Sequence, residues 1–230
     1  MFILSIVALA AMVVVVEEEG SPRSDAPLAV PRSRAVVIDG TLDQAEWRGS
    51  AVVKRNGGEV LLRHDGKFLY IGVRTVRRGF PSVCVMRGNT VRVMHASFAL
   101  GDAVYAKQDA MWKLGAPFEW QPLTRTFRGD RDLQRARFLA ERGWLGSTVA
   151  MGNPRHAEMQ IALDQLDARD LRISIAVLLE DEGRGEQIAS WSRSGARAVR
   201  DGCANDRLVR GEAPEKLVFL KSGWTRVRLG

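Results

Sequence analysis

The chain is 230 residues long, 46% apolar and 27% charged, with a formal net charge of +7 and a pI near 10.0. That balance excludes a disordered chain and supplies enough apolar mass for a sizeable core without metals or a disulfide framework. The basic residues are scattered among acids and accompany no recognised nucleic-acid motif, so they read as a solvated surface with no nucleic-acid partner.

Residues 1–16, MFILSIVALAAMVVVV, carry no charged side chain, and Glu17, Glu18 and Glu19 follow at once. A run of that length fits a signal-peptide core or a short membrane anchor, and it is shorter than a comfortable transmembrane helix. The expectation is a secreted or extracytoplasmic protein with a possible membrane tether. Residues 17–33, EEEGSPRSDAPLAVPRS, read as a linker rich in proline, acids and small polar residues. A single domain is then expected over 34–230.

From Arg34 onward the pattern has period two. KFLYIGVRT sets Leu69, Ile71 and Val73 against Phe68, Tyr70 and Arg74. NTVRVMHAS sets Val91 and Val93 against Arg92 and Met94, and LRISIAVLLE sets Leu171, Ile173, Ile175 and Val177 against Arg172 and Ser174. In AEMQIALDQL, Met159, Ile161 and Leu163 oppose Glu158 and Gln160. Such alternation marks strands with one face on a core. It leaves Glu158 either facing solvent, ordering backbone amides or ligating a cation. Gly-rich turns separate the strands, and Asp65-Gly66 predicts a hairpin with a type I′ turn. One helix is predicted, capped by Asp130, ended by Gly143, with Leu133, Ala136 and Ala140 on one face. The fold class expected is an all-β antiparallel sandwich, jelly-roll-like, with one short helical insertion. Cys84 and Cys203 are expected as two buried thiols, with one disulfide closing a long loop as the alternative.

The segment VVIDGTLDQAEWRGSAVV joins an Ile-Asp-Gly turn, a short acidic stretch ending in Trp47, and a strand. It resembles the opening of the family 9 carbohydrate-binding modules. GGEVLLRHDGKFLYIGVRT resembles that family's next hairpin, AEMQIALDQL its Glu-containing strand, and IASW a late sandwich strand. The resemblance implies a non-catalytic domain that binds a mono- or oligosaccharide through an aromatic clamp. Sugar rings stack their C–H faces on Trp, while planar polar side chains reach the hydroxyls. Trp112 and Trp120, with Glu119 and Gln121, lie in the irregular segment MWKLGAPFEWQP and are the candidate ligand-binding residues. Trp47 is expected in the core. No Asp-rich loop of calcium spacing occurs, so no metal and no other cofactor is expected.

No H-E-x-x-H, G-x-S-x-G or P-loop pattern occurs, and His95 with Ser97 lacks a third catalytic partner, so no catalytic residue is assigned. Two alternatives stand beside sugar binding. One is a structural or interaction sandwich that has no sugar site. The other is a non-covalent haem-b domain, resembling the haem-binding subunits of exported dehydrogenases. Met86, Met94, His95, Met111, Lys113, Met151 and His156 supply its candidate axial ligands.

Overall fold

The computed structural model describes residues 14–15, 26–55, 57–122, 128–167, 170–181, 185–191 and 201–230. Most of the apolar leader and the first part of the linker lie outside the described residues. Among the described residues, no helix is long and apolar enough to cross a membrane.

The strands, in chain order, are β1 Val14–Val15, β2 Leu28–Val30, β3 Ala51–Arg55, β4 Gly58–His64 and β5 Phe68–Thr75. Then follow β6 Gly79–Arg87, β7 Thr90–Ala96, β8 Leu100–Gln108, β9 Met111–Gln121 and β10 Trp144–Gly146. The last five are β11 His156–Ala162, β12 Arg172–Asp181, β13 Gly185–Ser190, β14 Lys216–Leu217 and β15 Thr225–Leu229. One sheet runs β1-β3-β4-β5-β11-β10 and the other β14-β9-β8-β7-β6-β12-β15-β2, with β13 also on β12. The all-β sandwich is therefore as expected. Its pairs are antiparallel except β1 on β3 and β2 on β15, which are parallel. Strand β2 falls inside the segment expected to be linker, and Val30 is fully buried.

Alternation holds, but the second faces are covered too. Between the sheets, Leu69, Ile71, Val83, Val85, Met94, Ile173 and Ile175 form the main core. On the far side of the second sheet, Cys84, Met86, Val91, Val93, Tyr105 and Trp112 pack under Cys203, Leu208, Leu217, Phe219 and Trp224. The segment 201–224 is thus a lid over that sheet. The far side of the first sheet is covered by the chain around Leu42 and Trp47, whose side chains lie where a Cβ on Gly72 would stand.

Each cover is pinned by a buried carboxylate. Glu158 is fully buried. Its Oε2 accepts from the Asp39 and Gly40 amides at 2.9 and 2.8 Å, and its Oε1 accepts from Trp47 Nε1 at 3.0 Å. Of the three roles open to Glu158 from sequence, ordering amides is the one observed. Trp47 is buried as expected. On the other cover, Asp201 accepts from the Leu220 amide at 3.2 Å and from Ser174 Oγ at 3.3 Å. Beside it, Cys84 and Cys203 form a disulfide with Cα atoms 6.0 Å apart. The expectation of two free thiols is corrected. The 119-residue separation hid a contact that only the folded lid creates.

Two local expectations also change. In the β4–β5 hairpin, Asp65 N donates to Phe68 O at 3.2 Å, and Gly66 takes φ +95 while Asp65 does not take positive φ. Asp65 instead accepts from the Lys67 and Phe68 amides through Oδ1. Glycine at the first loop position matches a II′ turn and not the I′ turn expected. The helix runs Arg128–Arg142, starting before Asp130. Leu133, Ala136 and Ala140 face outward; the buried face carries Arg135 and Phe138. Phe138 meets Trp144 edge-on at 5.2 Å. Arg135 donates to the carbonyl of Ile38 and, at 3.4 Å, to that of Gly146. A buried arginine on an otherwise polar helix reversed the face that small apolar residues suggested.

Burial pushes the Glu158 carboxyl up from 4.5 to about 7, against the pull of its three donors. A carboxyl that holds its proton to higher pH when folded contributes stability below its unfolded value and loses it as pH rises through 7. His95, lowered by burial to about 4, works in the opposite direction below pH 6.5. The comparison that isolates Glu158 is therefore wild type against Glu158→Gln by thermal unfolding from pH 5 to 8. The difference in stability between them should narrow as pH rises, by on the order of 1–3 kcal/mol. Urea unfolding with and without reductant checks the disulfide: reduction should cost about 2–5 kcal/mol.

Candidate functional site

Strand β9 carries the candidate residues from sequence. It is the outer long strand of its sheet, paired along one side with β8. On its other side, β14 pairs only at Lys113 and Trp112. Trp112 and Trp120 are eight residues apart and lie near opposite ends of β9, about 26 Å apart at strand rise. The structure does not bring them together as two walls of one clamp.

Trp112 is 6% exposed and meets Phe219 edge-on at 5.7 Å. It lies in the floor of a groove of about 410 Å³ between the β6–β7 hairpin, the β8–β9 hairpin and the lid. Met86 and Phe219 share that floor, and Asn89, Lys107, Asp109 and Lys221 stand among its lining.

Trp120 is 41% exposed, whereas the other five tryptophans are at most 6% exposed. Its ring is nevertheless held on several sides. Phe118 stacks on it with centroids 5.0 Å apart and 27° between planes. His95 meets it edge-on at 5.5 Å. A Cβ on Gly101 would lie 2.7 Å from Trp120 Cε3, and one on Gly211 would lie 2.6 Å from its Cζ2. These two glycines admit the indole from the sheet below and the lid beside it. Phe98 is 64% exposed, and its ring lies 5.7 Å from Phe80.

Glu119 and Gln121 alternate with Trp120 and so point to the other face of the strand. There Glu119 pairs with Arg142. Arg142 also lies 3.9 Å from Asp102, which Arg92 holds at 2.8 Å. The polar groups on the Trp120 side come from the lid next to Gly211. Glu212, the next residue after Gly211, pairs with Arg207 at 2.8 Å, and both are well exposed. Sequence reasoning missed them because only the folded lid carries them to β9.

His95 and Ser97 form no catalytic pair. His95 Nδ1 instead lies 2.8 Å from Ser82 Oγ, and both residues are buried. Burial keeps this imidazole neutral well below its ordinary range. The residues considered for haem are dispersed. Met94 and His95 are adjacent and face opposite sides of β7. Met86 lines the groove, Met111 is exposed, Met151 Sδ accepts from Arg135 at 3.2 Å, and His156 Nδ1 accepts from the Leu42 amide at 3.1 Å. Among the described residues, no group of three or more His, Cys, Asp or Glu could hold a metal ion.

No protein-family model matches the chain, and no curated protein matches it in sequence. Among solved structures, the chain is similar to a family 9 carbohydrate binding module from Caldicellulosiruptor kristjanssonii in complex with cellotriose. The two are 10% identical, and the alignment covers 88% of this chain and 92% of that chain with a TM-score of 0.46.

The burial pattern makes Trp120 the principal tryptophan open to a small quencher. Acrylamide should quench a minor part of the emission, and Trp120→Phe should remove that part. Gly101→Ala, which puts a methyl under the ring, should displace the indole and enlarge the quenched part. An unchanged quenchable part in Trp120→Phe would contradict the exposure described.

Proposed function

We propose that this protein is a non-catalytic carbohydrate-binding domain in which a sugar ring stacks on the open face of Trp120. The observation that carries the reading is an exposed indole fixed by Phe118, His95, Gly101 and Gly211. A large apolar ring costs free energy when left in water. One already immobilised loses little further freedom when a ligand stacks on it, and that preorganisation favours binding. Glu212 and Arg207 on the same side can meet sugar hydroxyls. Glu119 and Gln121 point to the opposite face of β9, where Glu119 pairs with Arg142, and take no part in this reading. The resemblance of the 36–53 segment to the opening of family 9 carbohydrate-binding modules supports the same ligand class.

The site of action is outside the cytoplasm. The charge-free run at the N-terminus supports export. The disulfide between Cys84 and Cys203 fits an oxidising compartment, where such bonds persist.

Tryptophan-fluorescence titration against neutral mono- and oligosaccharides tests the reading. A saturable shift is expected, weakened at least about tenfold in Trp120→Ala, equivalent to roughly 1.4 kcal/mol. Glu212→Ala should weaken it by a smaller factor. A flat response across the panel would instead favour a sandwich that serves as scaffold.

A further inference from the structure

The groove over Trp112 is separate from the Trp120 platform, and its chemistry differs. Its floor is apolar: Met86, the edge of Trp112 and Phe219. Two lysines, Lys107 and Lys221, stand among its lining residues with Asn89 and Asp109. Lys221 is steadied by Asp170 at 2.7 Å. Lys107, Asp109 and Asn89 have no side-chain partner among the described residues, and both Lys107 and Asp109 are exposed. Donors and acceptors that the fold does not use therefore converge on one concavity. Asp109 is also the non-glycine residue with positive φ among the described residues, at 54°. That conformation, tolerated by Asp, sets it at the tip of the β8–β9 hairpin beside the groove.

Lysine usage sharpens the point. The chain has six lysines. Two of them line this groove, and two more, Lys113 and Lys216, face each other on the adjoining β9–β14 ladder. These two alternate with Trp112 and Leu217 and so face away from the groove, where Glu215 lies 3.9 Å from Lys216, which leaves Lys107 as the groove cation that the fold does not answer. A neutral sugar uses the apolar floor, Asn89 and Asp109 but leaves the Lys107 ammonium unanswered. A ring bearing a carboxylate uses all of them.

We propose that this groove is a second saccharide site, and that it takes an acidic sugar residue of the hexuronate class. The carboxylate faces Lys107 and Lys221, the hydroxyls meet Asn89 and Asp109, and the C–H face rests on Met86, Trp112 and Phe219. The volume, about 410 Å³, falls within the range of small-molecule pockets. The net charge of +7 steers a polyanionic chain toward the protein before the groove engages it. The inference shares the ligand class with the function proposed above but rests on different residues, so the two stand or fall separately.

Calorimetric titration of the full chain tests it, with a galacturonate trimer, a galactose trimer and poly-glutamate as probes. The uronate trimer should bind at least about tenfold more tightly than poly-glutamate and the neutral trimer. Lys107→Ala and Asn89→Ala should each weaken it by about tenfold, while Lys54→Ala, an equal change of net charge elsewhere, should leave it within about twofold. Trp120→Phe should leave uronate binding unchanged, even if it abolishes neutral-sugar binding. Uronate affinity equal to that of poly-glutamate, or the same in Lys107→Ala as in Lys54→Ala, would overturn the site and leave only the general field of a basic surface. Loss of neutral-sugar binding alone would overturn the Trp120 reading and not this one.

Discussion

The buried carboxylate of Glu158 is the constraint on which the rest of the molecule depends. It sits on β11, in a sheet whose far face must be closed by irregular chain. Two of its donors are consecutive amides of the Asp39-Gly40 turn, and the third is the indole of Trp47. One side chain therefore fixes where the turn lies and where Trp47 enters. Gly40 has φ +85, and a Cβ there would lie 2.6 Å from the Met151 carbonyl oxygen. Only glycine permits both the conformation and the approach. Leu42 and Trp47 then close over Gly72, whose missing side chain gives them room. Burying a carboxylate is costly unless donors replace its water. Here three donors do so, two amides of the turn and the buried indole of Trp47.

The second sheet is closed by the same logic with the roles reversed. The carboxylate, Asp201, belongs to the cover and gathers amides of the cover itself, while Ser174 on β12 donates to it. The disulfide to Cys84 adds a covalent tie at the same place. Tyr105 donates from the sheet to the Pro214 carbonyl at 3.0 Å. The lid contains single-turn helices and a two-residue strand. Its own hydrogen bonds cannot hold it as a unit. The tie to Ser174, the disulfide and the ring cluster of Trp112, Phe219 and Trp224 keep it on the sheet.

Much of this was legible in the sequence, for a local reason. Period-two alternation, the Asp-Gly hairpin and the Ile-Asp-Gly opening are short-range signals, and each lies on an observed element. What stayed hidden depended on distant chain. Alternation predicts which residues share a face but not whether the second face is covered, so Glu158 and Met94 had no visible reason to be buried. Leu133, Ala136 and Ala140 formed an apolar face by spacing. The helix turns Arg135 inward instead, because the carbonyls of Ile38 and Gly146 await a donor there. The pairing of Cys84 with Cys203 required the lid to be in place. Trp112 and Trp120 are close in sequence, and in a loop they would be close in space. In an eleven-residue strand they are nearly a strand length apart.

That last difference explains where ligands can reach this domain. Among the described residues, most of both faces of both sheets is covered. Access is left at the margins of the lid, and β9 runs beneath that margin along its whole length. At one end the lid segment 218–221 stands away from two hairpin tips, and a groove opens over Trp112. At the other end the lid makes its close approach through Gly211, and Trp120 stays open beside it. The two sites differ in character because the lid ends differently over them. A gap between hairpins makes a concave site rimmed by the polar residues that turns require. A single glycine set against a ring makes a flat one. Both candidate tryptophans from sequence are thus placed by one strand and sorted by one cover, into a groove floor and a platform.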